Sequence, residues 1–331
     1  MMKCGIPLMV AALVLLTCAT AGMAVAEEPA ENRWRIAPPT LSPGAAGSFS
    51  EISVKDPTIV YHGDRWHLFF TARGQNEYTT GYVAAKELSG LQSAKRHELP
   101  MIRGKGRYGC APQVFYYEPQ KRWYLVFQNR DSNYQPMFST TPTIAKPPSW
   151  SQPGKLIAKD SPAKWIDFWV IADTTRVYLF YTQGHHGVMV RSTSLDAFPT
   201  GWGEAKQVFD NIHEAVHVYK VREKNEFHMI YELNHGGVRS FGLATAGHLE
   251  GPWRKVTDRY AAGDQLEFTG SGKPWTEMVS HGEAIRSGYD QRMEYDPANC
   301  RWLIQGIPKS ASNVSYPSLP WKLGIITKIN K

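Results

Sequence analysis

Trp165-Ile166-Asp167-Phe168-Trp169-Val170-Ile171 sets six large apolar residues, two of them tryptophans, around a single carboxylate. A run this short and this hydrophobic reads as a strand buried on both faces. An unpaired ionised carboxylate is costly to bury, so Asp167 is either the partner of a buried cation or amide, or a group aimed into a functional pocket. One residue does not decide between the two. The recurrence of the pattern does.

Five similar units follow one another. Residues 56–61, a turn at Gly63-Asp64 and residues 66–70 make the first; residues 111–117, a turn at Pro119-Gln120-Lys121 and residues 123–127 make the second. The third is 167–171 with 177–181, the fourth 214–219 with 227–231, and the looser fifth is 281–285, 293–296 and 301–304. Each reads as a hairpin whose second strand is rich in aromatic and β-branched residues. Hairpin units repeating at roughly 45 to 65 residues are the signature of a β-propeller. The sequence therefore predicts an all-β chain with a five-bladed β-propeller over residues 51–331, with a two-sheet sandwich as the alternative.

The 331 residues are 42% hydrophobic and 12% aromatic, ample for a large core. Residues 1–26 have a short basic start, an apolar centre and Ala24-Val25-Ala26 before Glu27-Glu28, which describes a secretory signal peptide and a secreted or periplasmic protein. Residues 27–50, rich in Pro, Ala, Gly and Ser, are expected to be a loosely ordered lead-in. Losing Lys3 with the leader takes the formal charge from +7 to +6. The basic residues are scattered, so nucleic acid is not an expected partner, and no later run is apolar enough to span a membrane. A monomer is expected. Cys110 and Cys300 remain after processing and could pair.

In a propeller the first strand of each blade lines the axis, so equivalent positions converge there. Aligning the inner strands brings Asp56, Ala111, Asp167, Glu214 and His281 to one place. Two carboxylic acids across a cleft are the apparatus of glycoside hydrolysis, and a third nearby raises the pKa of the acid. Trp66, Trp165, Trp169 and Trp275 suit stacking on sugar faces. His213-Glu214-Ala215-Val216-His217 also spells a zinc-protease motif, which needs a helix; here it runs into the alternating Val218-Tyr219-Lys220-Val221, a strand pattern.

Val54-Lys55-Asp56-Pro57-Thr58, Ala111-Pro112-Gln113-Val114, Trp165-Ile166-Asp167-Phe168-Trp169, Ser280-His281-Gly282-Glu283 and Leu319-Pro320-Trp321-Lys322-Leu323-Gly324 together resemble glycoside hydrolase family 62, a sister of family 43. The resemblance runs from about residue 50 to 327. It implies a five-bladed propeller and a secreted, inverting α-L-arabinofuranosidase acting on arabinoxylan or arabinan of plant cell walls. It implies Asp56 as general base, Glu214 as general acid and Asp167 as modulator of the acid's pKa. It further implies Lys55 and Tyr316 as sugar contacts and His281 as ligand of a structural calcium ion; Gln113 and Trp165, within the same motifs, are expected to contact substrate. The chain departs from the family pattern in the turn Thr182-Gln183-Gly184-His185-His186-Gly187 and in Pro317 after Tyr316. A family-43-like hydrolase of another glycoside and a non-catalytic glycan-binding propeller are the alternatives.

Overall fold

In a computed structural model of the chain, which describes residues 1–2, 32–103, 106, 108–130, 136–158, 165–311 and 313–329, each hairpin is the inner half of an antiparallel sheet. The expected signal peptide, with Cys4 and Cys18, lies outside the described residues apart from Met1 and Met2. Blade one is Ser53–His62, Arg65–Arg73, Tyr78–Ala85 and His97–Glu98. Its first turn is Gly63-Asp64, with φ of 54° and 57°. Positive φ at both positions matches the twist of the flanking strands. Blade two is Gly109–Tyr117, Arg122–Asn129, Pro136–Thr141 and Gly154–Lys155; blade three is Trp165–Ala172, Arg176–Gln183, Gly187–Ser194 and Lys206–Phe209. Blade four runs Glu214–Val221, Phe227–His235, Val238–Ala246 and Arg254–Ala261. The fold is a five-bladed β-propeller.

Blade five corrects the sequence reading twice. Its strands are Ser280–Ala284, Arg301–Gly306, Lys322–Lys328, then, from the other end of the chain, Trp34–Ile36, and outermost Leu266–Phe268, parallel to it. Residues 27–50 are thus not simply a lead-in: 27–31 lie outside the described residues, but Trp34–Ile36 closes the ring, antiparallel to Lys322–Lys328. Trp34 is fully buried, and its indole N–H donates to Tyr260 O at 2.9 Å. Removing a buried tryptophan typically costs about 3–5 kcal/mol, so this short strand is held by its side chain as much as by its ladder. Residues 293–296 do not belong to blade five; Glu294–Tyr295 runs parallel to the inner strand of blade four.

The inner strands share one irregularity. The ladder slips between Lys55 and Thr58, Cys110 and Gln113, Ile166 and Trp169, and Glu214 and His217, and Asp56, Ala111, Asp167 and Ala215 take φ of 47–56°. A left-handed non-glycine residue costs about 1–2 kcal/mol and points to a backbone held in place by its surroundings. What holds it is the preceding blade. Ala111 N–H donates to Thr71 Oγ1 at 2.9 Å, Asp167 N–H to Gln128 Oε1 at 3.4 Å and Asp56 N–H to Gln305 Oε1 at 2.7 Å. At the slip of blade five, His281 N–H donates to Glu232 Oε2 at 2.8 Å. Thr71, Gln128, Glu232 and Gln305 all sit on second strands, paired with the residue just before the bulge. Thr182 has that position in blade three, yet Ala215 N–H donates to Asp167 Oδ2 at 2.9 Å instead.

Below the bulges, Gln113 of blade two binds both N–H and C=O of Val170 in blade three at 2.7 and 2.8 Å. Deeper still, Arg286 pairs with buried Glu283 at 2.7 Å and donates to Val114 O at 2.8 Å, plugging the far end of the axis. Cys110 and Cys300 are both buried and free, in blade two and beside Tyr260 respectively, so they do not pair.

The ring of inter-blade hydrogen bonds gives contrasting mutational outcomes. Gln305→Leu leaves the Asp56 N–H buried without an acceptor and should cost about 1–3 kcal/mol, seen as a lower denaturant midpoint at unchanged m-value. Among the described residues the buried Thr182 hydroxyl finds no hydrogen-bond partner. Thr182→Val should therefore leave the midpoint where it is or raise it. A greater loss at Thr182 than at Gln305 would contradict this account.

Candidate active site

The bulges turn their side chains into a cavity of about 550 Å³ at one end of the axis. Asp56, Asp167, Glu214, Lys55, Tyr316 and His281, all singled out in the sequence, line it. The route by which Glu214 arrives is not the expected one. The blade-four residue equivalent to Asp56 and Asp167 is Ala215, which carries the left-handed φ; Glu214 stands one position earlier, paired across the ladder with Glu232. Two carboxylates directly opposite on adjacent strands repel. Arg239 resolves this by pairing with Glu214 Oε1 at 3.1 Å and with Glu232 through the same guanidinium nitrogen.

The three carboxyls sit in different fields. Burial alone would raise the pKa of Asp56, but Lys55 Nζ at 2.9 Å, then His281 and the Thr71 hydroxyl, outweigh it and hold the group below the usual carboxylate range. Asp167 has no such cation beside it. Burial, then the charge of Asp56, pushes it up to about 7, against the pull of the Ala215 N–H. Glu214 is also raised, first by burial and next by Asp167, with Arg239 opposing. One carboxyl held ionised, facing others driven toward the neutral form, is the asymmetry that acid–base catalysis uses.

His281 stands between the two aspartates, its Nδ1 3.6 Å from Asp56 Oδ1 and 3.9 Å from Asp167 Oδ1. Calcium takes six to eight oxygens at about 2.3–2.6 Å. The residues at hand offer one imidazole and two carboxylates already engaged by Lys55 and by the Ala215 N–H. They fit such an ion only with water completing most of its shell. The zinc-protease spelling does not survive the fold. Glu214–Val221 is a strand, and His217 is buried with its ring stacked on Trp169 at 4.2 Å, while His213 stacks on His185 at 4.7 Å.

Two expected substrate contacts are corrected. Gln113 is 1% exposed and spends its amide on Val170, below the cavity. Trp165 is 5% exposed, packed on Tyr181 at 4.8 Å with Arg191 over its ring, and does not line the cavity. Trp66, Trp169 and Trp275 do not line it either. Its aromatic walls are Tyr78, Tyr108 and Tyr316, with Lys55 Nζ 5.6 Å from the Tyr78 ring and 5.5 Å from that of Tyr316. Arg239, Tyr78, Tyr108, His185 and His213 were not singled out as site residues from the sequence. The departure of the 182–187 turn from the family pattern hinted at His185, and the zinc-protease spelling had drawn attention to His213 for a different chemistry.

The profile of glycosyl hydrolase family 62 matches residues 29–327. The chain is 34% identical over 314 residues to α-L-arabinofuranosidase C of Cellvibrio japonicus (strain Ueda107), covering 91% of this chain and 48% of that protein. It thus spans about half the length of this curated relative. Among solved structures, the catalytic domain of a family-62 α-L-arabinofuranosidase of Coprinopsis cinerea superposes with a TM-score of 0.84 at 33% identity, over 91% of this chain and 98% of that one. A family-62 hydrolase in complex with xylotriose superposes with a TM-score of 0.81 at 27% identity, over 89% and 97%.

The field around Glu214 sets the sign of a pH shift. The charge of Asp167 raises the Glu214 pKa, so Asp167→Asn should lower it. If Glu214 is the proton donor in glycoside hydrolysis, the alkaline limb of the pH–rate profile should then move to lower pH, beyond any fall in turnover. A limb that stays put or moves up would remove Asp167 as the source of the shift.

Proposed function

Since the chain belongs to glycosyl hydrolase family 62, we propose that it is a secreted α-L-arabinofuranosidase that removes arabinofuranosyl side groups from arabinoxylan or arabinan with inversion. The observation that carries the reading is the opposed fields on carboxyls gathered in one cavity: Asp56 held ionised by Lys55, Glu214 raised by burial and by Asp167. Asp56 takes a proton from a water on one face of the sugar, and Glu214 gives a proton to the departing oxygen on the other. Burial keeps Glu214 protonated, Asp167 adds to this whenever its own carboxyl is ionised, and it fixes the backbone beside Glu214 through the Ala215 N–H. Lys55 Nζ and Tyr316 OH, 3.4 Å apart on the cavity wall, contact the sugar hydroxyls. The leader sequence supports export. The xylotriose bound by a family member supports a xylan backbone, with arabinan retained beside it.

Asp56 and Glu214 come from blades one and four, which blade five separates, an arrangement that favours the wider carboxyl spacing of inverting enzymes, about 6.5–9.5 Å. Asp56→Asn and Glu214→Gln should each lower turnover by about 10²–10⁴ with an unchanged circular dichroism spectrum. Proton NMR of a fresh wild-type hydrolysate should show β-arabinose first. Near-normal turnover in either variant, or an initial α-anomer, would overturn the assignment.

The second proposal is a calcium ion held by His281 through a largely aqueous shell. Its contribution is charge that ties blades at the axis rather than bond-making. Chelation should accordingly lower Tm more than it lowers the room-temperature rate. Elemental analysis finding no calcium, together with no change in Tm on chelation, would rule the ion out.

A further inference from the structure

The turn of blade three and the entry to blade four bring two imidazoles against one carboxylate. His185 lies in the Gly184-His185 turn, where both residues take positive φ, and His213 directly precedes the inner strand of blade four. Their rings stack at 4.7 Å and 15°, and His185 Nδ1 also lies 3.2 Å from His213 O. His185 Nδ1 is 3.4 Å and His213 Nε2 is 3.8 Å from the same atom, Glu214 Oε2. Arg239 occupies the other oxygen, Oε1. Among the described residues this is the one group of three His, Cys, Asp or Glu side chains whose donor atoms all lie within 4.8 Å of one another.

Those separations have a chemical meaning. Zinc–nitrogen and zinc–carboxylate bonds of about 2.0–2.2 Å at tetrahedral angles put neighbouring donors about 3.3–3.5 Å apart. Two of the three edges are already close to that value. The third lies within 4.8 Å and can shorten by rotation of His185, whose side chain is half exposed on a turn. Two imidazoles and a carboxylate, with a fourth position open to solvent, suit a borderline divalent ion such as Zn²⁺ rather than calcium, which prefers oxygen.

We propose that His185, His213 and Glu214 form an inhibitory site for a divalent transition-metal ion at the mouth of the cavity. Binding is to the ionised Glu214 carboxylate. A protonated Glu214 releases its proton to solvent as the oxygen–metal bond forms, and the donor required at the departing oxygen is lost. The inhibitory consequence rests on the reading of Glu214 as general acid, whereas the binding site does not.

The test uses the mature chain, purified without an oligohistidine tag and freed of metal. Calorimetric titration with zinc chloride should give about one ion per chain, with affinity at least about tenfold weaker in His185→Ala and in His213→Ala. His186→Ala, an exposed neighbour outside the cluster, should bind as the wild type does. Zinc should abolish wild-type turnover reversibly, with recovery on chelation, and His185→Ala should need at least about tenfold more zinc. No heat of binding, or equal affinity in both histidine variants, overturns the site while leaving the role of Glu214 untouched. Zinc binding that depends on both histidines but leaves turnover unaffected overturns the inhibition and counts against Glu214 as the acid.

Discussion

The structure depends on one repeated hydrogen bond. At the same point in every inner strand the ladder slips, and a backbone N–H that leaves its own sheet is taken by a side chain of the blade before. A buried amide without an acceptor is expensive, so each bond ties one blade to the next, and four of the five also anchor a left-handed residue. In four of the five cases the acceptor is Thr71, Gln128, Glu232 or Gln305, on a second strand. In the remaining case it is Asp167, itself a cavity carboxylate. At that joint the side chain that closes the ring is also one that raises the pKa of Glu214.

Charge is managed by the same economy of partners. Among the described residues, two cations of the cavity wall are in close contact with carboxylates: Lys55 against Asp56, and Arg239 shared by Glu214 and Glu232. Asp167 has neither and is the carboxyl pushed up to about 7, burial being the first cause. Breaking a buried pair by removing one partner typically costs about 3–5 kcal/mol, so Lys55 and Arg239 carry stability as well as electrostatic tuning. Substitutions there change both at once, whereas Asp167→Asn changes the field with little loss of shape.

Aromatic residues divide by location. The tryptophans of the repeats pack between or within blades, where a large rigid ring fills the wedge between twisted sheets. Trp169 lies under His217, and Trp34 lies against Tyr260. The cavity uses tyrosines, carried at its rim by segments outside the inner strands. A stacked pair, His185 of the blade-three turn and His213 before blade four, also lines the cavity.

The sequence alone determined the propeller and its first four hairpins, because alternating strands and turns recur with a period that local patterning exposes; the make-up of blade five was not legible in that way. It also determined the carboxylates, since a charged residue inside an apolar strand is conspicuous without any structure. Tertiary structure decided which face each side chain takes. A one-residue slip in a strand reverses the side-chain direction, and the slip at each bulge is invisible to a pattern of period two. That is why Ala215, not Glu214, proved equivalent to Asp56, and why Gln113 and Trp165 point away from the cavity. Contacts between distant segments were beyond reach for a different reason. Trp34 meets Tyr260 only after the ring has closed, and Arg239 meets Glu214 only once the sheet of blade four has formed; no local preference encodes a partner 226 or 25 residues away.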